Sequence, residues 1–331
     1  MQDTNITPPQ AFGRRDFIKL ACMYFGGALI ANACANRNLG DEINYATLTD
    51  ELGGAVTPLS QIQSFGNFYE FTRSHYEIKN LSKNLRTSPW QIEVGGLVEN
   101  PKTYTLEDLK AFGEDEYIYR FRCLEAWSLV IPWQGFQLKK LLEEVKPTPE
   151  ARFVRFESLN SPEQFPGQDS SQYAEWIQSG SRGSTALAGK MGEFKDSPFV
   201  WPYVESLRLD EAMHDLTLIA TGLYGKALSP ENGAPIRIVV PWKYSYKSPK
   251  MIVKIELTAE QPSTFWNMAI PEEFGFYGNV NPDVPHPRWS QARELNLTGD
   301  NEGEVIATLP FNGYTSQVAY LYNDLDLKIN Y

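Results

Sequence analysis

Hydrophobic and polar positions alternate with period two over Tyr117-Ile-Tyr-Arg-Phe-Arg-Cys123. This predicts a strand with Tyr117, Tyr119, Phe121 and Cys123 on one face and Arg120 and Arg122 on the other. Cys123 stands at its end. Leu138, Leu141, Leu142 and Val145 recur at i, i+3, i+4 and i+7, so 137–145 reads as an amphipathic helix stopped by Pro147 and Pro149. Thr105-Leu-Glu-Asp108 has the form of a capping box and opens a short helix through Leu109 that ends near Gly113. Further strands are predicted at 152–158, 236–242 and 251–258; in the last, Met251, Val253, Ile255 and Leu257 alternate with more polar positions. Residues 36–64 read as an extended arm, and 160–200, rich in Ser, Gly, Gln and Pro, as long surface loops. No repeat and no linker divides the rest, so the pattern predicts one large α+β domain over 36–331.

Residues 1–35 follow a different pattern. Arg14-Arg15-Asp-Phe-Ile-Lys19 precedes an apolar run from Leu20 to Ala35 that contains Gly26, Gly27 and Asn32. The run is short of the ~20 strongly apolar residues a spanning helix needs, so a cleaved export signal is expected. The Arg pair, with Phe17 and Lys19, resembles the twin-arginine signal. Ala31-Asn-Ala33 and Ala33-Cys-Ala35 both have the small-x-small form of a cleavage site. A lipid anchor at Cys34 is the lesser alternative, because Ala31 stands where a lipoprotein box usually has Leu.

Charge and composition narrow the chemistry. The 331-residue chain carries a net charge of −11, from 30 Lys+Arg against 41 Asp+Glu. The signal holds three basic and two acidic residues, so the remainder stands at −12. Nucleic acid is excluded, since its binding draws on basic side chains that neutralise phosphates. No CxxC, CxxCH, HExxH or Walker A pattern occurs, and Ser179-Gly-Ser-Arg-Gly183 misses the nucleophile-elbow register. Of three cysteines, Cys22 and Cys34 belong to the signal region, which leaves Cys123 in the domain.

A lone thiol in an oxidising compartment is either buried and inert or kept for chemistry. In Arg120-Phe-Arg-Cys123-Leu-Glu125 two guanidinium groups flank it, and such charge is expected to favour the thiolate. One cysteine cannot close a tetrahedral zinc site, but it can be the single protein ligand of a metal held by an organic cofactor. A thiol hydrolase would need one of His75, His214 or His286 as its partner. Arg237, Lys243, Lys247 and Lys250 fall within fourteen residues with no acid among them, after the turn signal Asn232-Gly233. The run is either a solvated basic flank behind a hairpin turn or a grip for an anion such as phosphate.

Together these segments resemble the catalytic subunits of bacterial periplasmic protein-methionine-sulfoxide reductases, molybdopterin enzymes of the sulfite oxidase fold. The likeness runs along nearly the whole chain. It rests on Asn67-Phe-Tyr-Glu70, Arg122-Cys-Leu-Glu-Ala-Trp127, Pro132-Trp-Gln-Gly-Phe136 and Pro162-Glu-Gln-Phe-Pro-Gly-Gln168. It continues through Tyr203-Val-Glu-Ser-Leu-Arg-Leu-Asp-Glu-Ala-Met-His214, Asn232-Gly-Ala-Pro235, Pro241-Trp-Lys-Tyr244 and His286-Pro-Arg-Trp-Ser-Gln291. The resemblance implies Cys123 as the ligand to molybdenum. It implies cofactor contacts at Asn67, Tyr69, Glu70, Ser158, Asn232, Arg237, Ser248, Pro249 and Lys250, with Glu125 and Trp127 beside the metal. Gly66 stands where relatives can carry a second Asn, and Ser158 where a Thr is usual.

The resemblance further implies one molybdenum–molybdopterin per chain, and oxidised periplasmic proteins as substrates. A haem-bearing, quinol-linked membrane subunit would be the electron donor. The implied reaction returns methionine sulfoxide to the apolar thioether, in a site open at the surface and ringed by aromatic residues. Two alternatives stand beside it: the same cofactor acting on small sulfoxides or N-oxides, and an exported, aromatic-rich binding protein.

Overall fold

Among the residues described by the computed structural model, 43–169, 199–298 and 303–331, twelve strands form two sheets. In chain order they are β1 (Gln91–Gly96), β2 (Lys102–Thr105), β3 (Asp115–Arg122), β4 (Trp127–Gln137), β5 (Phe153–Ser158) and β6 (Val204–Arg208). They continue as β7 (Leu218–Leu223), β8 (Lys226–Ala227), β9 (Arg237–Val239), β10 (Ile252–Thr258), β11 (Arg293–Asn296) and β12 (Glu304–Ala307). Among the described residues seven short α-helices join them: α1 (Leu59–Ser64), α2 (Ile78–Leu81), α3 (Leu106–Lys110), α4 (Leu138–Val145), α5 (Leu209–Ala212), α6 (Phe265–Ala269) and α7 (Thr315–Val318). Contacts divide the chain into Met1–Asn44 and Tyr45–Tyr331, and all of these elements belong to the second unit. The expected export signal, Cys22, Cys34 and Ser179–Gly183 lie outside the described residues.

The α+β class read from the sequence holds. One sheet has the order β2-β1-β10-β5-β6, parallel between β1 and β10 and antiparallel elsewhere. The other is built on the eleven-residue β4, with β3 antiparallel along it and β7 and β11 paired at its two ends. The period-two stretch at 117–123 therefore becomes β3, and Cys123 is the first residue past its end. The capping box at Thr105 and Asp108 starts α3. The apolar stripe of α4 buries Leu138, Leu141, Leu142 and Val145 completely, about 1.5–3 kcal/mol for each side chain.

Three expectations need correction. Part of the arm at 36–64 is the helix α1, which buries Ile62. Asn232-Gly233 closes a single 3-10 turn over Pro230–Asn232 rather than a hairpin, because β8 and β9 both pair with β7 instead of with each other. In β10 the alternation breaks at a bulge between Ile252 and Lys254, so Ile252 is buried and Val253 only half-buried.

Two apolar clusters result. The larger lies between sheets and helices. The smaller is mostly aromatic and joins Leu124, the residue after Cys123, to Phe199, Tyr203, Phe265, Trp266 and Phe274. That second cluster backs the site.

Candidate active site

Cys123 is set by the turn that joins β3 to β4. Its N–H donates to the Trp127 carbonyl at 2.9 Å, the Ala126 N–H returns to the Cys123 carbonyl at 3.1 Å, and Ala126 takes a left-handed φ of 63°. A side chain costs energy in that conformation, so surrounding contacts must hold the turn. They are supplied from far along the chain. Trp289 Nε1 and Gln291 Nε2 both donate to the Leu124 carbonyl, at 3.0 and 2.7 Å. Arg122 donates to the Cys123 carbonyl, to Glu294 Oε2 at 2.7 Å and to Gln291 Oε1 at 2.8 Å.

The thiol is 3% exposed and forms part of the wall of a cleft of about 710 Å³. Asn67 Nδ2 and the Glu125 backbone N–H both point to its Sγ at 3.4 Å. The expectation that the flanking arginines would favour the thiolate is overturned. Burial first, and the Glu125 charge second, push the thiol up to about 12, with Arg122 only a minor opposing influence. Arg122 is committed to Glu294, and Arg120 to Asp50 and Glu51, at 2.9 and 3.2 Å. In this buried setting the thiolate needs a cation bound to the sulfur itself.

One side of the cleft comes from the loop after α1, with Asn67, Tyr69 and Glu70, and from the segment after β9, with Ser248, Pro249 and Lys250. These two segments are tied together. Lys250 Nζ donates to the Asn67 carbonyl at 2.9 Å and lies 4.1 Å from the Phe68 ring centre. Gly167 lets the Tyr69–Glu70 backbone approach: a Cβ there would sit 2.0 Å from the Tyr69 carbonyl oxygen. Gly233, at φ 94°, does the same for the Lys250 stem, 2.8 Å from such a Cβ. The lining also includes Leu124, Trp266, Phe274, Arg288 and Trp289.

Eight of the residues expected from the sequence thus meet at this cleft: Cys123, Glu125, Asn67, Tyr69, Glu70, Ser248, Pro249 and Lys250. Ser158, Asn232 and Arg237 are not among its lining residues, although each touches one or supports its neighbour. The Ser158 N–H donates to the carbonyl of Tyr203, a lining residue. Arg237 donates to the Ser248 and Asn232 carbonyls, both at 3.2 Å.

The basic run divides. Lys243 and Lys247 are fully buried and spent on Glu211 and Glu205, each at 2.5 Å, so the solvated-flank alternative fails for both. Arg237 is buried without a carboxylate partner, its Nε has no acceptor, and Phe121 and Trp133 face it at 5.2 and 5.0 Å. The Ser158 hydroxyl is likewise without a partner. Unmatched buried donors cost about 1–3 kcal/mol each. A buried thiol, the Arg237 cation and an orphan hydroxyl form a donor set that fits an anionic cofactor ligated through sulfur.

Sequence reasoning gave no site role to Arg288, Trp266 or Phe274, and considered His75 only as the partner of a thiol hydrolase. His75 Nε2 lies 3.4 Å from Glu125 Oε2, which also receives Trp127 Nε1 at 3.5 Å. His214 and His286, the other histidines considered for a thiol hydrolase, meet the Gln317 carbonyl and Glu273 respectively. Arg288 and Trp289 stood within the recognised His286–Gln291 segment, which was the available signal. The aromatic pair Trp266 and Phe274, stacked at 4.5 Å, had none. Among the described residues no group of three or more His, Cys, Asp or Glu side chains could hold a metal.

Comparison with known proteins gives three results. The family model described as oxidoreductase molybdopterin binding domain matches residues 78–193 and 188–266. The protein-methionine-sulfoxide reductase catalytic subunit MsrP of Campylobacter jejuni is 45% identical over 329 residues, 98% of this chain and 99% of that protein. The sulfane dehydrogenase SoxCD of Paracoccus pantotrophus superposes with a TM-score of 0.39 at 16% identity. That alignment covers 72% of this chain and 54% of the SoxCD chain.

Proposed function

The chain belongs to the molybdopterin-binding oxidoreductases and is an enzyme of that class, and from this premise we propose that it reduces methionine sulfoxide residues in periplasmic proteins. The observation that carries the reading is the lone buried Cys123 thiol at the cleft, held by Asn67 and the Glu125 N–H. Such a thiol is placed to be the one protein ligand of a metal whose other ligands arrive with a cofactor.

Each residue has a task in that reading. Cys123 would hold the molybdenum. Asn67, Tyr69, Glu70, Ser248, Pro249 and Lys250 would hold the pterin along the cleft wall, with Ser158, Asn232 and Arg237 completing the anion grip from behind. When bound, the cofactor supplies two electrons, so that sulfoxide and two protons become thioether and water. Glu125 also lines the cleft and would hold a proton for the departing oxygen at Oε2, where His75 and Trp127 steady it. Trp266, Phe274 and Trp289 give the thioether an aromatic seat.

The chain would be exported by the twin-arginine route with residues 1–35 removed, leaving 36–331 as the catalytic domain. Electrons would come from a haem-bearing membrane subunit fed by quinol, since the sequence has no haem or iron–sulfur motif of its own.

The test is molybdenum per chain for wild type and Cys123→Ser made in a cofactor-competent host, with turnover on an oxidised protein and on dimethyl sulfoxide. About one metal per wild-type chain, activity lost in the variant, and preference for the protein substrate support the reading. Metal-free wild type would remove it, and preference for the small sulfoxide would transfer it to small oxides.

A further inference from the structure

Resting on the reading that the substrate is a sulfoxide, we infer that Arg288 is the residue that binds the substrate's sulfoxide oxygen. Most hydrogen-bond donors around the cleft are already engaged. Asn67 Nδ2 is directed at the Cys123 sulfur, and Lys250 Nζ at the Asn67 carbonyl. Tyr203 and Tyr246 donate their hydroxyls to backbone carbonyls at 2.6 and 2.7 Å, and Trp289 Nε1 donates to Leu124. Arg288 differs. Its Nη2 meets Glu273 Oε2 at 2.7 Å, while Nε and Nη1 are sealed from solvent and have no acceptor. Among the described residues lining the cleft, no other side chain has a buried polar atom left without a partner.

The guanidinium is also held in one place. Glu273 fixes one end and is itself buried, 1% exposed. The Trp289 ring centre lies 4.7 Å from the guanidinium carbon, and His286 stacks on that ring at 3.7 Å and 10°. The Arg288 backbone N–H donates to His286 Nδ1 at 3.2 Å. A charged donor fixed in this way serves a strongly polarised acceptor, and the S–O bond of a sulfoxide places its negative end on a single oxygen. Arg288 lines the same cleft as Trp266, Phe274 and Trp289. The cleft lining thus offers an apolar seat for the methylthio end and a cation for the oxygen.

The experiment uses holoenzyme with a small artificial electron donor, comparing wild type, Arg288→Gln and Arg288→Lys. Methionine sulfoxide in an oxidised protein and dimethyl sulfoxide are the substrates, and dimethyl sulfone is a non-reacting competitor. Molybdenum per chain and the melting temperature are measured for each variant. The expected result for Arg288→Gln is a KM for both sulfoxides raised about tenfold to a hundredfold, at unchanged metal content. The inhibition constant of the sulfone should rise in parallel. Arg288→Lys keeps the charge and the ion pair with Glu273, but its single nitrogen is occupied there, so its KM should stay well above wild type.

A fully loaded Arg288→Gln enzyme with wild-type KM and sulfone inhibition overturns the assignment. If that variant does not hold its metal or fold, Arg288→Lys decides: wild-type KM would mean that Arg288 serves only to neutralise Glu273. Failure of the parent reading looks different. Wild type would then ignore oxidised protein, while the Arg288 variants would still alter KM for dimethyl sulfoxide.

Discussion

Arg122 donates its Nε–H to Glu294 Oε2 at 2.7 Å across 172 residues of sequence, with both side chains closed to solvent. The charge next to Cys123 is thereby neutralised by β11 rather than turned on the thiol. Removing one member of a buried pair leaves the other uncompensated, which costs about 3–5 kcal/mol. Glu294→Gln should lower the stability of the chain by about that amount in urea unfolding. Stability equal to wild type would mean that the Arg122 charge is compensated elsewhere.

Arg237 gives the opposite expectation. It is buried among Phe121 and Trp133, meets only carbonyl oxygens, and burial pulls its proton affinity down. If the group is kept for an anion, an apolar replacement should stabilise the cofactor-free chain and weaken cofactor retention. Arg237→Met is expected to raise the unfolding free energy of the metal-free protein by about 1–3 kcal/mol and to lower molybdenum per chain in preparations from the same host. Full metal content in the variant would separate Arg237 from the cofactor.

These residues mark how far the sequence was legible. The strand at 117–123, the stripe of α4 and the capping box of α3 are local patterns, and each formed where its periodicity placed it. The segments around Asn67, Cys123 and Lys250 were recognisable, and they meet at one cleft. Long-range pairing was not readable. The run from Arg237 to Lys250 looked like one basic feature, yet Lys243 and Lys247 go to Glu211 and Glu205 on the β6–α5 segment, and no spacing rule connects these pairs. The thiol's proton affinity was misjudged for the same reason. Sequence shows the arginines beside Cys123 but not the acids, Asp50, Glu51 and Glu294, that take them up. The contact of His75 with Glu125 and the place of Arg288 in the cleft became visible only once the chain had folded.

Lys250 should make stability depend on pH in a defined window. Burial, opposed mainly by the Glu70 charge, brings its ammonium down to about 8 from the ordinary 10.5. Below 8 the folded and unfolded chains both carry the proton, and the burial cost is present in full. Between about 8 and 10.5 the unfolded chain holds a proton that the folded chain lacks, so raising the pH disfavours unfolding. Cofactor-free wild type should therefore gain stability from pH 7.5 to 9.5 relative to Lys250→Met. Parallel urea-midpoint curves across that window would show that Lys250 is not held at the lowered value.

Trp266 tests the apolar half of the substrate seat. It stacks on Phe274 at 4.5 Å and 15° and meets Tyr69 edge-on at 4.9 Å, so a methylthio group in the cleft would face its ring system. Alanine is a poor probe here, because Trp266 is only 5% exposed and truncation would cost about 3–5 kcal/mol of folding stability. Leucine keeps most of the apolar volume and removes the aromatic face. Sulfur–aromatic contacts contribute about 0.3–1.5 kcal/mol, so Trp266→Leu should raise KM for methionine sulfoxide about twofold to tenfold, with molybdenum content and kcat near wild type. Trp266→Phe should recover most of the loss. A loaded Trp266→Leu enzyme with unchanged KM would place the thioether against another wall, and Trp289 would be the next residue to change.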